Sequence, residues 1–483
     1  PSPGARRRHP SMPPSTSASP TGTRAIVGQL LHLAWPILIA QLLSMTMMVA
    51  DTVIAGRYGT ADLAGVAIGS SYYISVVMLL TGTLQAISPT IAHHVGAGRQ
   101  EAIAPALQQG FWLALLLAGP GIALLLNPGF LLEAASVPPA VAAKAADYLA
   151  ATAFGLPALL LYRSFYAFNN AVGRPRVLMA ISAITMSVHI PLAWALTNGA
   201  LGFAPMGGTG CGVSTATVHW IALGCGFAYL VFNPAYKPYR LFHAWQAPRA
   251  QALGQLLRLG LPMGVSTFID ISSFTLIAIL AARLGTETVA GHRVIANFTG
   301  MIYMLPLSLS IATMVLVGQS AGAQDWRRAR RTARLGMSLA LGFSLLVGAL
   351  LWMLREPLVA FSSADPAVQA VALGLVVWLL LYQCFDALQT VAAHALRGYK
   401  VTLLPMLVHS LCFWGIGLAG GYWLSFHAPW RASAPTVAGF WEACVLATLA
   451  ATLLFGALLR AVSRRHVREA TVQERREARM RRR

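Results

Sequence analysis

Charged residues are scarce in this chain. Asp, Glu, Lys and Arg together form 10% of its 483 residues, whereas soluble domains carry about a quarter. Hydrophobic residues form 57%, and the mean hydropathy is +0.63. This composition excludes an ordinary water-soluble protein and predicts a chain that lies almost wholly in a membrane.

Lysine is rarer still, since the chain contains only Lys144, Lys237 and Lys400. No P-loop occurs, and no HExxH, nucleophile-elbow or zinc-ligand spacing is present. The five cysteines show no CxxC spacing and fall in or beside apolar segments, which is typical of small buried residues. The sequence therefore predicts neither an enzyme nor an ATP-driven pump, and it requires no cofactor beyond a coupling ion.

Twelve apolar stretches are long enough to cross a bilayer as helices. They lie at about 28–52, 63–88, 104–126, 140–165, 176–197, 210–232, 257–281, 289–316, 334–354, 366–392, 402–424 and 438–460. Only helices or closed barrels satisfy the backbone in lipid, and the period-two alternation of barrel strands does not occur. The prediction is an all-α polytopic membrane protein.

The basic residues are distributed unevenly between the loops. If both termini face the cytoplasm, only six of the 35 Lys and Arg residues fall on the other side: Arg57, Lys144, Arg283, Arg293, Arg355 and Arg431. This bias follows the positive-inside rule, so the net charge of +20 indicates topology and not nucleic-acid binding. Residues 1–25 are predicted to be a disordered cytoplasmic leader. Residues 462–483 are predicted to be a basic cytoplasmic tail, either solvated or lying as a helix on the inner leaflet.

The chain also repeats itself. A shift of 226 residues places LLHLAWP (30–36) on LLRLGLP (256–262), and the same shift aligns glycines and other small residues over the next 80 positions. We therefore expect a first lobe at 26–232, a cytoplasmic connector at 233–255 and a second lobe at 256–461. Six helices in each lobe make the repeat parallel, and two such bundles with a cleft between them suit alternating access.

Three acids stand inside apolar segments: Asp51, Asp270 and Asp386. A carboxylate in the hydrocarbon region costs at least a few kcal/mol, so it requires a partner or a function. The repeat does not pair them with one another, since its shift places Asp51 on Ile277 and Asp270 on Ser44. Each acid could be a hydrogen-bonded structural residue, but the asymmetry favours separate roles in binding and releasing a cation. We expect Asp51 nearer the outer mouth of the first lobe and Asp270 deeper in the second.

These residues resemble a known family. The pattern P-x(14)-D-T-x-I-A-G-x-x-G, from Pro36 through Asp51 to Gly59, is similar to the first helix of multidrug and toxic compound extrusion (MATE) transporters. The segments 206–215, 259–274 and 382–400 are similar to its NorM-type bacterial branch. The resemblance covers about 28–460. It implies twelve helices in two lobes, and export of a cationic drug in exchange for Na⁺ or H⁺ across the bacterial inner membrane. It also places the family's ion-coupling acids and tyrosine on Asp51, Asp270, Asp386 and Tyr382.

Two departures from that branch affect the coupling ion. The helix-7 acid is Asp270 where the branch usually has Glu, and His189 and Ala193 stand where it often carries two asparagines. Losing these amides removes oxygen ligands near Asp51 and supplies a titratable imidazole, which favours proton coupling in the first lobe. The second lobe keeps hard oxygen ligands for Na⁺, and on balance we expect Na⁺. They are Asp270, Ser272, Ser273, Tyr382 and Asp386.

The substrate is expected to be a small, cationic, amphipathic drug or metabolite that binds aromatic and thioether surface in the cleft. Candidate lining residues, at a spacing equally typical of helix packing, are Met45, Met48, Tyr72, Phe274, Met301 and Tyr303. His93 and His94 are predicted to lie on the surface. The alternative function is a flippase for lipid-linked precursors, which would require a cationic cleft. The expected partners are membrane lipid and the transported drug, and we expect a monomer.

Overall fold

A computed structural model of the chain describes residues 22–200, 202–242, 244–427 and 436–480. The predicted leader therefore lies almost wholly outside the described residues, as does Arg431. Within them, twelve helices are long and apolar enough to cross a membrane, which confirms the predicted fold class. They are α1 (Thr23–Tyr58), α2 (Thr60–Gly96), α3 (Gln100–Leu126), α4 (Pro139–Ala171), α5 (Arg176–Asn198), α6 (Gly208–Phe232), α7 (Ala250–Leu284), α8 (Thr286–Gly322), α9 (Trp326–Met353), α10 (Pro366–Gly398), α11 (Leu403–Phe426) and α12 (Ala438–Met480).

Several helices tolerate an internal proline. Pro36 in α1 and Pro262 in α7 stand 226 residues apart, at matching positions of the sequence repeat. Each lacks the N–H group for one backbone hydrogen bond, and neighbouring helices in a membrane can compensate for that loss. Two short helices, Gly129–Ala134 and Arg355–Ser362, lie in the connections α3–α4 and α9–α10.

The first six helices meet the last six at one end of the molecule, the end that carries the connector. There His93 Nε2 lies 2.8 Å from Gly398 O, so the surface position predicted for His93 is wrong. Gln319 Nε2 donates to Ala171 O at 2.8 Å. All inter-half side-chain hydrogen bonds that the structure gives for its described residues lie at this end. The connector end of the molecule is therefore closed.

Glycines allow the two halves to approach this closely. A Cβ atom on Gly82 of α2 would lie 2.7 Å from Gly264 Cα of α7, closer than real Cβ contacts. A Cβ atom on Gly96 would overlap the backbone of Gln319 in α8. Small residues at helix interfaces are the usual means of close packing in membranes. Larger side chains here would hold the halves apart.

The connector is attached to the first half. Gln108 Nε2 of α3 donates to Leu241 O at 2.8 Å, and Gln109 Nε2 donates to Ala247 O at 2.9 Å. Trp112 Nε1 donates to Gln246 O at 2.9 Å. These bonds satisfy backbone carbonyl groups of the connector that have no helix or strand partner. The described residues of the connector thus follow α6 and lie against α3, and α7 begins at Ala250, six residues before the predicted boundary.

Two departures from regular spanning helices occur near the chain's end. Residues Ser410–Gly420 of α11 form a π-helix, whose wider turns are often found at functional sites. Helix α12 continues without a break to Met480. The predicted tail from residue 462 is therefore helical through its described part, and it prolongs the last membrane helix.

Candidate functional site: a cavity between the two halves

A cavity of about 500 Å³ lies between the two halves. Three predicted ion-coupling residues line it: Asp270 from α7, and Tyr382 and Asp386 from α10. Phe274 and Tyr303, both predicted for the substrate cleft, line it as well. The first half contributes polar and aromatic side chains from α1, α2 and α4, which are Gln41, Thr81, Gln85, Ser88, Arg163, Tyr166 and Asn170. Both halves thus face one volume that is large enough for a drug-sized molecule.

The two acids of the second half are linked by side chains that the sequence analysis missed. His409 Nε2 of α11 lies 3.7 Å from Asp270 Oδ1 and 3.0 Å from Gln389 Oε1. Gln389 Nε2 in turn donates to Asp386 Oδ1 at 2.9 Å. Hydrogen bonds thus join His409 of α11 to Asp386 of α10 through Gln389, and Asp270 of α7 lies within ion-pair distance of the same imidazole.

One carboxylate oxygen of Asp270 is free to accept a further hydrogen bond or to bind an ion. Its Oδ1 atom is buried and forms no hydrogen bond among the described residues. A buried oxygen without a partner is costly, and it is commonly explained by an ion, a water molecule or a functional role. Ser272 and Ser273, predicted as further oxygen ligands, do not line the cavity, since both donate to Ile269 O of their own helix. The oxygen set predicted for Na⁺ is therefore smaller than expected.

Tyr382 is held by aromatic neighbours. Its ring lies edge-on to Phe274, with ring centroids 5.7 Å apart, and edge-on to Trp441 at 6.1 Å. Only 3% of Tyr382 is exposed. Edge-to-face pairs of this kind stabilise a fixed ring orientation. The phenol is therefore fixed one helical turn from Asp386, on the same face of α10.

Two arginine side chains also line the cavity, which the sequence does not predict. Arg163 and Arg397 both line it, although the sequence analysis placed them with the cytoplasmic loops. Arg397 is 4% exposed, and its Nη1 atom donates to Gln85 Oε1 at 3.1 Å and lies 3.1 Å from His394 Nε2. Since α4 and α10 end at the connector side, these guanidinium groups lie at the closed end of the cavity. The cationic surface that the flippase alternative would require is therefore present at this end of the cavity.

Asp51 belongs to a separate site inside the first half. Its Oδ1 atom lies 2.8 Å from His189 Nε2 of α5, and Thr215 donates to its Oδ2 atom at 3.4 Å. His189 is fully buried, and Ser214 Oγ lies 3.0 Å from its Nδ1 atom. The predicted neighbours Asp51 and His189 are thus brought together, and neither lines the central cavity. The chain Asp51–His189–Ser214 can share or relay a proton.

Four of the predicted cleft residues do not line the cavity: Met45, Met48, Tyr72 and Met301. Tyr72 donates to Leu124 O at 3.0 Å, so its hydroxyl contacts α3 within the first half. Met48 and Met301 are 44% and 54% exposed outside this cavity. Other methionines replace them, namely Met78, Met304 and Met314. The predicted thioether surface exists, but neighbouring turns of α2 and α8 supply it.

A family model and several relatives match this chain. The MatE model matches residues 36–195 and 262–423, and the two matches begin 226 residues apart. A probable multidrug resistance protein NorM of Aromatoleum aromaticum is 67% identical over 93% of this chain and 97% of its own length. The multidrug resistance protein PmpM of Pseudomonas aeruginosa is 38% identical over 92% of this chain and 94% of its own length.

Solved structures share the fold. The crystal structure of the Vibrio cholerae MATE transporter VcmN in its bent form matches with a TM-score of 0.79 and 19% identity, over 92% of this chain and 99% of that one. The eukaryotic MATE transporter AtDTX14 matches with a TM-score of 0.81 and 19% identity, over 91% of this chain and 98% of that one. Taken with the matched family model and the close relatives, these likenesses establish that the chain belongs to the MatE family, as a NorM-like MATE transporter.

Proposed function

We propose that this chain is a secondary active antiporter that exports organic cations across a bacterial inner membrane by alternating access. The observation that carries the proposal is the cavity between the halves, which presents Asp270 and Asp386 to one shared volume. The names of the relatives, multidrug resistance proteins in Aromatoleum aromaticum and Pseudomonas aeruginosa, support the substrate class. They do not favour the flippase alternative. The termini are proposed to face the cytoplasm, because the arginine-rich ends follow the positive-inside rule.

Substrate binding is proposed to rest on charge and on adaptable apolar surface. A drug cation would be attracted by the two carboxylates while its apolar part contacts Phe274, Tyr303 and Met304. Aromatic faces attract cations, and thioethers adapt to many shapes. Arg163 and Arg397, at the closed end, would keep the cation near the acids by repulsion. This combination gives loose chemical selectivity with a strict requirement for positive charge.

Coupling is proposed to arise because ion and drug compete for the same acids. An ion that enters from outside neutralises a carboxylate and releases the drug outward. The drug that enters from the cytoplasm displaces the ion inward. The cavity would exchange the drug for the ion as the two halves rock about the connector end, which is closed in this conformation.

The proton is the coupling ion that the geometry supports best. An acid has an imidazole as its neighbour in each half: His189 beside Asp51, and His409 beside Asp270. Imidazole and carboxylate side chains are the groups that most often accept and pass on protons in proteins. Na⁺, which the sequence favoured, remains the second candidate, because Asp270 Oδ1 forms no hydrogen bond among the described residues and Asp386 and Tyr382 line the same cavity.

Purified protein in liposomes tests the function and the ion together. A fluorescent organic cation such as ethidium would be followed under a pH gradient in Na⁺-free buffer, and under a Na⁺ gradient at equal pH. Transport driven by pH alone supports proton coupling, and transport driven only by Na⁺ contradicts it. Absence of transport under both gradients, with protein shown to be folded and inserted, would contradict the antiporter itself.

A further inference from the structure

A second concave site lies outside the central cavity, between α9 and α12 at the connector end. Four arginines line it, two from each helix: Arg330, Arg334, Arg460 and Arg464. The site, here named the arginine groove, has a volume of about 460 Å³ and also contains Ser338 and Ser463. None of these side chains belongs to the transport site described above.

The charge of the arginine groove is not compensated within the described residues. The ion pairs of the described chain involve other side chains, including Arg465 with Glu469 in the same helix and Arg355 with Glu356. Four guanidinium groups around one concavity repel one another unless an anion lies between them. Guanidinium forks match phosphate oxygens in bidentate geometry. The groove is therefore suited to a phosphate-bearing ligand.

The groove also continues as an apolar surface in the direction of the bilayer. Its floor contains Met337, Gly456 and Leu459. On α9, Arg334 and Ser338 are followed on the same face by Leu341 and Leu345, which are 37% and 57% exposed. On α12, Leu453 stands three residues before Gly456 on the same face, and it is 64% exposed. A ligand that fills this surface has an anionic head and long apolar chains.

We propose that the arginine groove binds an anionic phospholipid. Its phosphate contacts the four arginines, and its acyl chains lie along the exposed leucines of α9 and α12. Basic pockets between membrane helices on the cytoplasmic side bind lipid head groups in this way. A soluble phosphate would meet the charge but would leave the apolar part of the groove empty. The bound lipid ties the tail-bearing helix α12 to α9.

Native mass spectrometry of the full chain in detergent tests the proposal with phosphatidylglycerol and phosphatidylcholine as probes. The wild-type protein is expected to retain phosphatidylglycerol in preference to phosphatidylcholine. The double variant Arg334→Gln/Arg464→Gln is expected to bind phosphatidylglycerol roughly 30-fold more weakly, since each arginine near an anionic lipid contributes a severalfold gain. The control Arg468→Gln/Arg476→Gln removes the same net charge from α12 outside the groove, and should bind as the wild type does.

A variant that fills the groove without changing its charge distinguishes binding in the groove from nonspecific attraction to the arginines. A Cβ atom on Gly456 meets nothing within 4 Å, so Gly456→Leu should fold while filling the floor and leaving all four arginines in place. It is expected to lose the lipid, whereas Gly224→Leu, at an equally open glycine of α6, should retain it. Folding of each variant is checked by its elution volume in size-exclusion chromatography.

Three results would overturn the proposal. Equal retention of phosphatidylglycerol by the groove variants and the wild type would show that the lipid binds elsewhere. Equal loss in both double variants would show nonspecific attraction to the basic helix. Displacement of the lipid by millimolar inorganic phosphate or glycerol 3-phosphate would show that the ligand is a soluble phosphate and not a lipid.

Discussion

The imidazole of His189 and the carboxylate of Asp51 lie 2.8 Å apart, although 138 residues separate them along the chain. Helices α1 and α5 bring them together in the core of the first half, where Ser214 supports the other ring nitrogen. Thr215 donates to the other oxygen of the same carboxylate, so both oxygens of Asp51 have partners inside the first half. The first two predictions concern this pair.

Replacing Asp51 with Asn is expected to abolish drug efflux while leaving expression and membrane insertion intact. The amide is nearly isosteric, so it opens no cavity, but it cannot carry the exchangeable charge. Ethidium efflux from cells measures the effect. Asp147→Asn, at an exposed position of α4, is the matched control and should transport normally. Wild-type efflux by the Asp51 variant would show that this acid is only structural.

Replacing His189 with Asn is expected to change the pH dependence of proton-driven efflux, because an amide cannot gain a proton as an imidazole can. The initial rate of efflux in liposomes between pH 5.5 and 8.5 measures the shift. His427→Asn, at an exposed helix end, should leave the profile unchanged. An unaltered profile for the His189 variant, with transport driven by Na⁺, would favour the Na⁺ alternative.

Replacing His409 with Phe is expected to slow transport while preserving the fold. The ring fills the same space against Phe413 and Phe455, but the path from Asp270 to Asp386 is interrupted. Asp386→Asn should slow transport similarly, and the double variant should be no worse than either single variant, because both break one path. Additive losses, measured as initial rates in liposomes, would show that the two residues act independently.

Replacing Gly96 with Val is expected to disfavour the conformation that is closed at the connector end. The added side chain would overlap the Gln319 backbone, and overpacking of about 1–3 kcal/mol would lower the closed population roughly 5- to 150-fold. Accessibility of a cysteine introduced at Asn170, a cavity residue, to a thiol reagent added on the cytoplasmic side should rise. Gly119→Val, where a Cβ meets nothing within 4 Å, is the control. Unchanged accessibility would argue that this contact does not close the cavity.

Much of the fold could be predicted because bilayer thickness dictates the length of each spanning segment. The three acids could be found for the same reason, since a carboxylate is conspicuous in an apolar run. The cleft could not be assigned residue by residue. Met48 and Met78 are equally apolar, and only the rotation of α1 and α2 about their axes decides which of them lines the cavity.

The missed residues show a second limit. His409 and Gln389 are polar side chains in apolar segments, and that signal was available in the sequence. Their significance depends on α11 meeting α7 and α10, which no local pattern reveals. Arg397 stands one residue before the end of α10, and such a position predicts a loop cation. The structure buries it beneath the other half, a consequence of tertiary packing alone.

Helix α12 is a single rod of 43 residues, about 65 Å at 1.5 Å per residue. The hydrocarbon layer takes up only about 30 Å of such a rod, so its far end stands well clear of the lipid. Because that end is far from the bilayer, a tilt of the second half by ten degrees would displace it by roughly 6 Å. The distance between a spin label near Met480 and one on α1 would therefore report each conformational change of the transport cycle from outside the bilayer.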